Sequence, residues 1–225
     1  MIDKIQAFGD SFFYGSDLPD CDGSGTFEHS NLTWPALATK KLGLDYECWS
    51  LGGCGNGVIS SNVIRLSSKN SLVLINWTWL DRFDYNDATG NPLTIRPGND
   101  DEISKFYYKK IHSDIVDKFT TLSLIHSTHS YLKKQGIKFI STYMDTSLTK
   151  INPDWFLSCK ILQEEILPEL HSFPDKQTFL EWSRANGYPE SEGWHPLEEA
   201  HEKAAEYWLP IYQQAINTHT ATTKD

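Results

Sequence analysis

Four short apolar runs, each separated from the next by stretches of helical character, constrain this chain more than any other feature. Ile2 to Phe8, Leu44 to Ser50, Ser71 to Trp77 and Gly136 to Met144 have the length and composition of strands. The run SLVLINW at 71 to 77 has almost no polar alternation, as expected of a strand covered on both faces. Helices are predicted between and after these strands. One is capped by Ser30-Asn31, runs to about Leu42 and is ended by Gly43. Others cover Val58 to Ser67, 101 to 134 as one helix or two, 154 to 170, 176 to 186, and 195 to 216. Strands alternating with helices imply an α/β fold with a parallel sheet between two helical layers. In such sheets ligands bind beyond the carboxyl ends of the strands. Ser11, Gly55 and the segment Asn76 to Trp79 all follow a strand, so they are expected on one rim.

With 225 residues, 39% hydrophobic and 13% aromatic, the chain can bury a substantial core, and no repeat or linker divides it. One domain over 1 to 225 is the expectation. The formal charge is −10, with no local cluster of Lys and Arg, which argues against nucleic acid as a partner. No run is long enough to cross a bilayer, and the start MIDKIQAFGDS is no signal peptide. Cys21, Cys48, Cys54 and Cys159 show neither a CxxC pair nor metal-ligand spacing. They read as unpaired thiols of a cytoplasmic protein.

A serine needs a base to take its proton, and the base needs a third group to orient it. Ser11 stands in the tripeptide Gly9-Asp10-Ser11 at the end of the first strand, and His195 stands where the last helix begins. Pro196 suits the first helical turn, and Glu192, three residues before the histidine, is placed to hold its Nδ1. An oxyanion would need donors, which the N–H groups of Ser11 and of a glycine in LGGCGNG at 51 to 57 could supply.

These blocks resemble those of the SGNH, or GDSL, hydrolases. Gly9-Asp10-Ser11 with Tyr14-Gly15 is similar to the family's first block, and Ser50 to Asn56 to its second. Glu192-Gly193-Trp194-His195 corresponds to the closing Asp-x-x-His, with glutamate in place of aspartate. The third block, Gly-x-Asn-Asp in the family, is replaced by INWTWLDR. Here Asn76 falls at the glycine position and Thr78 at the asparagine position. Some phage-encoded members look similar here, with Trp-Thr followed by an arginine, in this chain Arg82.

The resemblance implies a three-layer α/β/α fold with a flavodoxin-like sheet and a serine esterase without metal or organic cofactor. In that reading Ser11 is the nucleophile, His195 the base and Glu192 its orienting acid. Gly55 and Thr78, or Asn76 if the turn is shifted, stabilise the oxyanion. Asp10, Asn76, Trp77 and Arg82 lie beside the substrate, and Asp10 holds the turn. Small acyl esters, O-acetyl groups on carbohydrate first among them, are the implied substrates. The loops at 16 to 30 and 81 to 100 carry the choice among them. A glycan-binding or structural module that has lost useful catalysis is the alternative.

Other residues have plainer readings. Gly52, Gly53 and Gly57 are expected to form turns. His126 and His129, three apart, have no carboxylate beside them in sequence and read as a solvated helix face, not a metal site. His201 is expected to be structural or exposed. Trp49, Trp77, Trp79 and Trp194 flank the expected rim, where they either pack or stack on a sugar.

Overall fold

The structure is a computed structural model that describes residues 2–21, 29–150 and 157–221. The start of the helix expected from 154 and residues 22–28 of the 16–30 loop lie outside the described residues. Strands β1 (Lys4–Phe8), β2 (Asp45–Cys48) and β3 (Ser71–Trp77) are the first three of six among the described residues. The hairpin strands β4 (Phe83–Asn86) and β5 (Pro92–Ile95) follow, then β6 (Lys138–Tyr143). The central sheet has the order β2-β1-β3-β6, parallel throughout. This is the flavodoxin-like order over its first four strands. All four expected strands form.

The pleat sorts the strand residues into two cores. Ile5, Ala7, Leu72, Leu74 and Ile140 face one side, and Val73, Ile75 and Trp77 the other. The first face is covered by α2 (Trp34–Leu42) and α8 (Glu198–Ala221), which pack on one another. The second is covered by α3 (Asn56–Leu66) and α5 (Asp114–Gln135), with α6 (Leu157–Ile166) outside α5. The tie between α2 and α8 is aromatic: the buried ring of Trp34 stacks on Trp208 at 5.2 Å and on Tyr212 at 6.2 Å. Truncating Trp34 to alanine should cost about 3–5 kcal/mol.

Three boundaries differ from expectation. The α2 helix begins at Trp34, not after Ser30-Asn31. Ser30 is used instead by Asp20 and by the N–H of Leu32. The Trp34 N–H donates to Nδ1 of His201 at 3.0 Å, so that buried histidine does the work of a cap. The last helix starts at Glu198, because Pro196 is held in a bridge with Glu190. The polar excursion at 81–100 contains the antiparallel β4–β5 hairpin, which sequence pattern does not announce because Asp, Asn, Gly and Pro dominate it. Among the described residues no helix is long and apolar enough to cross a membrane, and no disulfide joins the cysteines.

Candidate active site

The carboxyl end of β1 runs directly into α1 (Ser11–Tyr14), a single turn. Asp10 caps it, with Oδ1 accepting the Phe12 N–H at 3.1 Å. At Gly15 the chain turns through φ 84°, and a Cβ there would lie 2.4 Å from Cβ of Ser30, so only glycine fits. Asp17 follows, itself left-handed at φ 69°, and its carboxylate returns to the rim.

There the two ends of the chain meet. Nε2 of His195 lies 2.9 Å from Oγ of Ser11, and Nδ1 lies 2.6 Å from Oδ2 of Asp17. A carboxylate can only accept, so Nδ1 carries the proton and Nε2 is free to accept from the serine hydroxyl. Ser191 completes the frame: its Oγ donates to Asp17 Oδ2 at 2.6 Å and accepts the His195 N–H at 3.2 Å. The bonds from Ser191 and His195 hold the Asp17 carboxyl below the usual carboxylate range. Gly193 has no side chain to obstruct this approach; a Cβ there would sit 2.6 Å from Asp17 Oδ2. The Phe12 ring packs edge-on against the imidazole at 5.2 Å.

Asp17, not Glu192, therefore stands at Nδ1. Glu192 lies in a turn closed by the Trp194 N–H donating to Ser191 O at 3.0 Å, and its side chain is exposed. Its carboxylate makes no hydrogen bond to the imidazole, whose Nδ1 is taken by Asp17. Sequence reasoning also missed Ser191. Nothing in spacing distinguishes Asp17 from the other acidic residues, because its position depends on two left-handed residues in a short loop.

The oxyanion side departs further from expectation. The Thr78 hydroxyl, with its one proton, donates to Asp10 Oδ2 at 2.7 Å and is buried. The Gly55 N–H donates to Asp84 Oδ1 at 2.9 Å, and Asp84 Oδ2 accepts the Val58 N–H at 2.8 Å. A carboxylate from the β4–β5 hairpin thus occupies the amides at the start of α3. The N–H of Ser11, first residue of α1, has no intrahelical partner and makes no hydrogen bond among the described residues.

Asn76 is buried and accepts from Thr142 Oγ1 at 2.9 Å, so it does not line a substrate site. Trp77 is wholly buried and donates to Ser141 Oγ at 2.7 Å; it is core, not rim. Asp10 holds the turn as expected. Arg82 reaches it at 3.4 Å, donates to Cys54 O at 2.9 Å, and lies over the Trp79 ring at 4.6 Å.

His129 is not on a solvated face. It is buried between Ser141 Oγ and Glu169 Oε2, at 2.9 Å from each, while His126 pairs with Glu165 at 3.1 Å. Carboxylates distant in sequence come to both, although no group of His, Cys, Asp and Glu among the described residues has metal-binding geometry. The remaining rim tryptophans are partly or well exposed, Trp194 most of all at 65%.

No family model matches the chain, and no curated protein matches it. Solved structures do. TesA superposes with a TM-score of 0.54 at 16% identity, over 94% of this chain and 99% of its own. A carbohydrate esterase family 2 enzyme with a carbohydrate-binding domain, from Corynascus thermopiles (Myceliophthora fergusii), gives 0.54 at 16%, over 95% of this chain. The acetyl xylan esterase Est2A from the rumen bacterium Butyrivibrio proteoclasticus gives 0.52 at 13%, again over 95%. The chain spans 64% of the length of Est2A and 66% of the Corynascus enzyme. With its parallel sheet and flanking helices, the chain carries the three-layer α/β/α fold of the SGNH, or GDSL, hydrolases.

Proposed function

We propose that this protein is a serine ester hydrolase acting on small acyl esters, with O-acetyl groups on carbohydrate as the first substrate class. The hydrogen-bonded chain Ser11–His195–Asp17 carries the reading. Ser11 Oγ attacks the ester carbonyl as its proton passes to Nε2 of His195, and the imidazolium returns that proton to the leaving alcohol. Asp17 fixes the tautomer and stabilises the imidazolium; Ser191 holds Asp17. Water then releases the acyl group by the same path. The oxyanion falls to the open Ser11 N–H and to the Gly55 N–H, for which it competes with Asp84. The solved structures described as esterases of acetylated xylan and other carbohydrates support the choice of substrate.

The engaged states of Gly55 and Thr78 favour a second reading, a glycan-binding module with little turnover. Hydrolysis of 4-nitrophenyl acetate by the parent protein, by Ser11→Ala and by His195→Ala separates the two. Loss of turnover by about 10⁴-fold or more in both variants is expected. Equal rates in all three proteins would exclude the esterase.

A further inference from the structure

Beside the Ser11 rim lies an open cleft of about 470 Å³ whose walls include Trp79, Arg82, Arg96 and Asn99. The chain has four arginines and a formal charge of −10, and two of those arginines line this cleft. Arg65 donates to Asn62, and Arg184 is paired with Glu190. Arg82 is committed to Asp10 and Cys54 O. The Arg96 guanidinium, exposed at the end of β5, makes no hydrogen bond or ion pair among the described residues. It lies against Gly53 in the glycine loop. A Cβ at Gly53 would come within 2.4 Å of Arg96 Nη1, and at φ 75° the backbone there suits only glycine.

The cleft is joined to the reacting atoms by direct contacts. The Trp79 ring lies 5.6 Å from Phe12, and Phe12 lies 5.2 Å from the His195 ring. Arg82 touches both Asp10, next to the nucleophile, and Cys54, next to Gly55. These contacts put the cleft and the Ser11 hydroxyl along one rim. A guanidinium with its donors unused, aimed into an aromatic-walled cleft, suits a planar carboxylate bound in bidentate fashion, and the indole suits the apolar face of a pyranose. Asp81 is the cleft's one acidic side chain. Burial, and then Asp145, push its carboxyl up.

Resting on the esterase reading, we propose that the alcohol part of the substrate is an acidic sugar whose carboxylate is bound by Arg96 beside Trp79. The test compares two probes, O-acetylated methyl galacturonoside and O-acetylated methyl galactoside, which differ in the carboxylate at C6. The parent should show a KM for the acid about 10- to 100-fold lower than for the neutral sugar, the range of one charged bidentate contact. In Arg96→Gln that ratio should collapse towards one, in Arg96→Lys it should fall part of the way, and in Arg65→Gln it should persist. Calorimetric titration of the Ser11→Ala protein with both sugars reads the same preference without turnover. If no ester is cleaved but Ser11→Ala still prefers the acid, the esterase reading falls and the acidic-sugar site stands. Equal binding of the two sugars, or a ratio unchanged by Arg96→Gln, overturns the site whatever the esterase does.

Discussion

The molecule contains two chains of serine, histidine and carboxylate, and their bond lengths are nearly the same. At the rim, Ser11, His195 and Asp17 are linked at 2.9 and 2.6 Å. On the α5 side of the sheet, Ser141, His129 and Glu169 are linked at 2.9 and 2.9 Å. The difference lies in what surrounds the hydroxyl. Ser141 is fully buried and its oxygen already accepts the Trp77 indole N–H, so no carbonyl can approach it. Ser11 sits at the start of a helical turn beside a cleft, with its own backbone N–H open. A relay of this shape is a cheap way to satisfy buried polar groups; access and a place for the oxyanion are what make it chemistry.

The largest expected effect breaks that comparison most directly. A fluorophosphonate should label Ser11 and leave Ser141 untouched, read by peptide mass mapping. Ser11→Ala should lower kcat by about 10⁴-fold or more. Ser141→Ala should instead leave the Trp77 and His129 nitrogens unsatisfied and destabilise the fold by about 1–3 kcal/mol, with turnover of the folded fraction retained. Labelling at Ser141 would mean that the buried chain opens and that the contrast drawn from exposure is wrong.

The acids come next. Asp17→Asn should cost about 10²- to 10⁴-fold in kcat, because an amide lets the imidazole take the wrong tautomer. Asp17→Glu should recover part of the loss, and Glu192→Gln, at an exposed turn, should change little. A large loss at Glu192 with none at Asp17 would restore the residue that sequence spacing indicates.

That exchange of acids marks the limit of what is legible in the sequence. The four-strand sheet is legible, because apolar runs and helical stretches are local patterns. Ser11 and His195 are legible from short blocks at strand and helix ends. Asp17 is not, since its place depends on left-handed backbone at Gly15 and Asp17 and on a bare Gly193. Thr78 misleads for a related reason: its position after β3 is as expected, but the direction of its one hydroxyl proton is set by Asp10, which no spacing rule reveals. Asp84 belongs to a hairpin whose composition reads as loop, so its hold on Gly55 is visible only in three dimensions.

Asp84 gives the next prediction, since the rim chain differs from the buried one in having an amide to offer an oxyanion. Asp84→Ala frees the Gly55 N–H and should raise kcat on a small acetate ester by about tenfold, part of what one donor is worth. It also removes the partner of two N–H groups at the start of α3, at a cost of about 1–2 kcal/mol in stability. Lower kcat in a folded Asp84→Ala protein would show that the carboxylate organises the site and does not compete for it.

The smallest effect concerns acid. Burial pushes the His129 imidazole down to about 4, against the opposing pull of Glu169, while Lys133 and His126 add to the depression. From about pH 6.5 down to 4 the unfolded chain takes up a proton at this ring that the folded chain refuses. The unfolded state therefore binds more protons, and stability falls as pH falls, by at most about 1.4 kcal/mol per pH unit from this group. Burial at His201, pushed to about 3, acts in the same direction. Urea unfolding followed across pH 7 to 4 should show stability falling less steeply with acid for His129→Gln than for the parent. Equal slopes for the parent and His129→Gln would mean that the buried imidazole accepts its proton within the fold, with the Ser141 hydroxyl turning away to allow it.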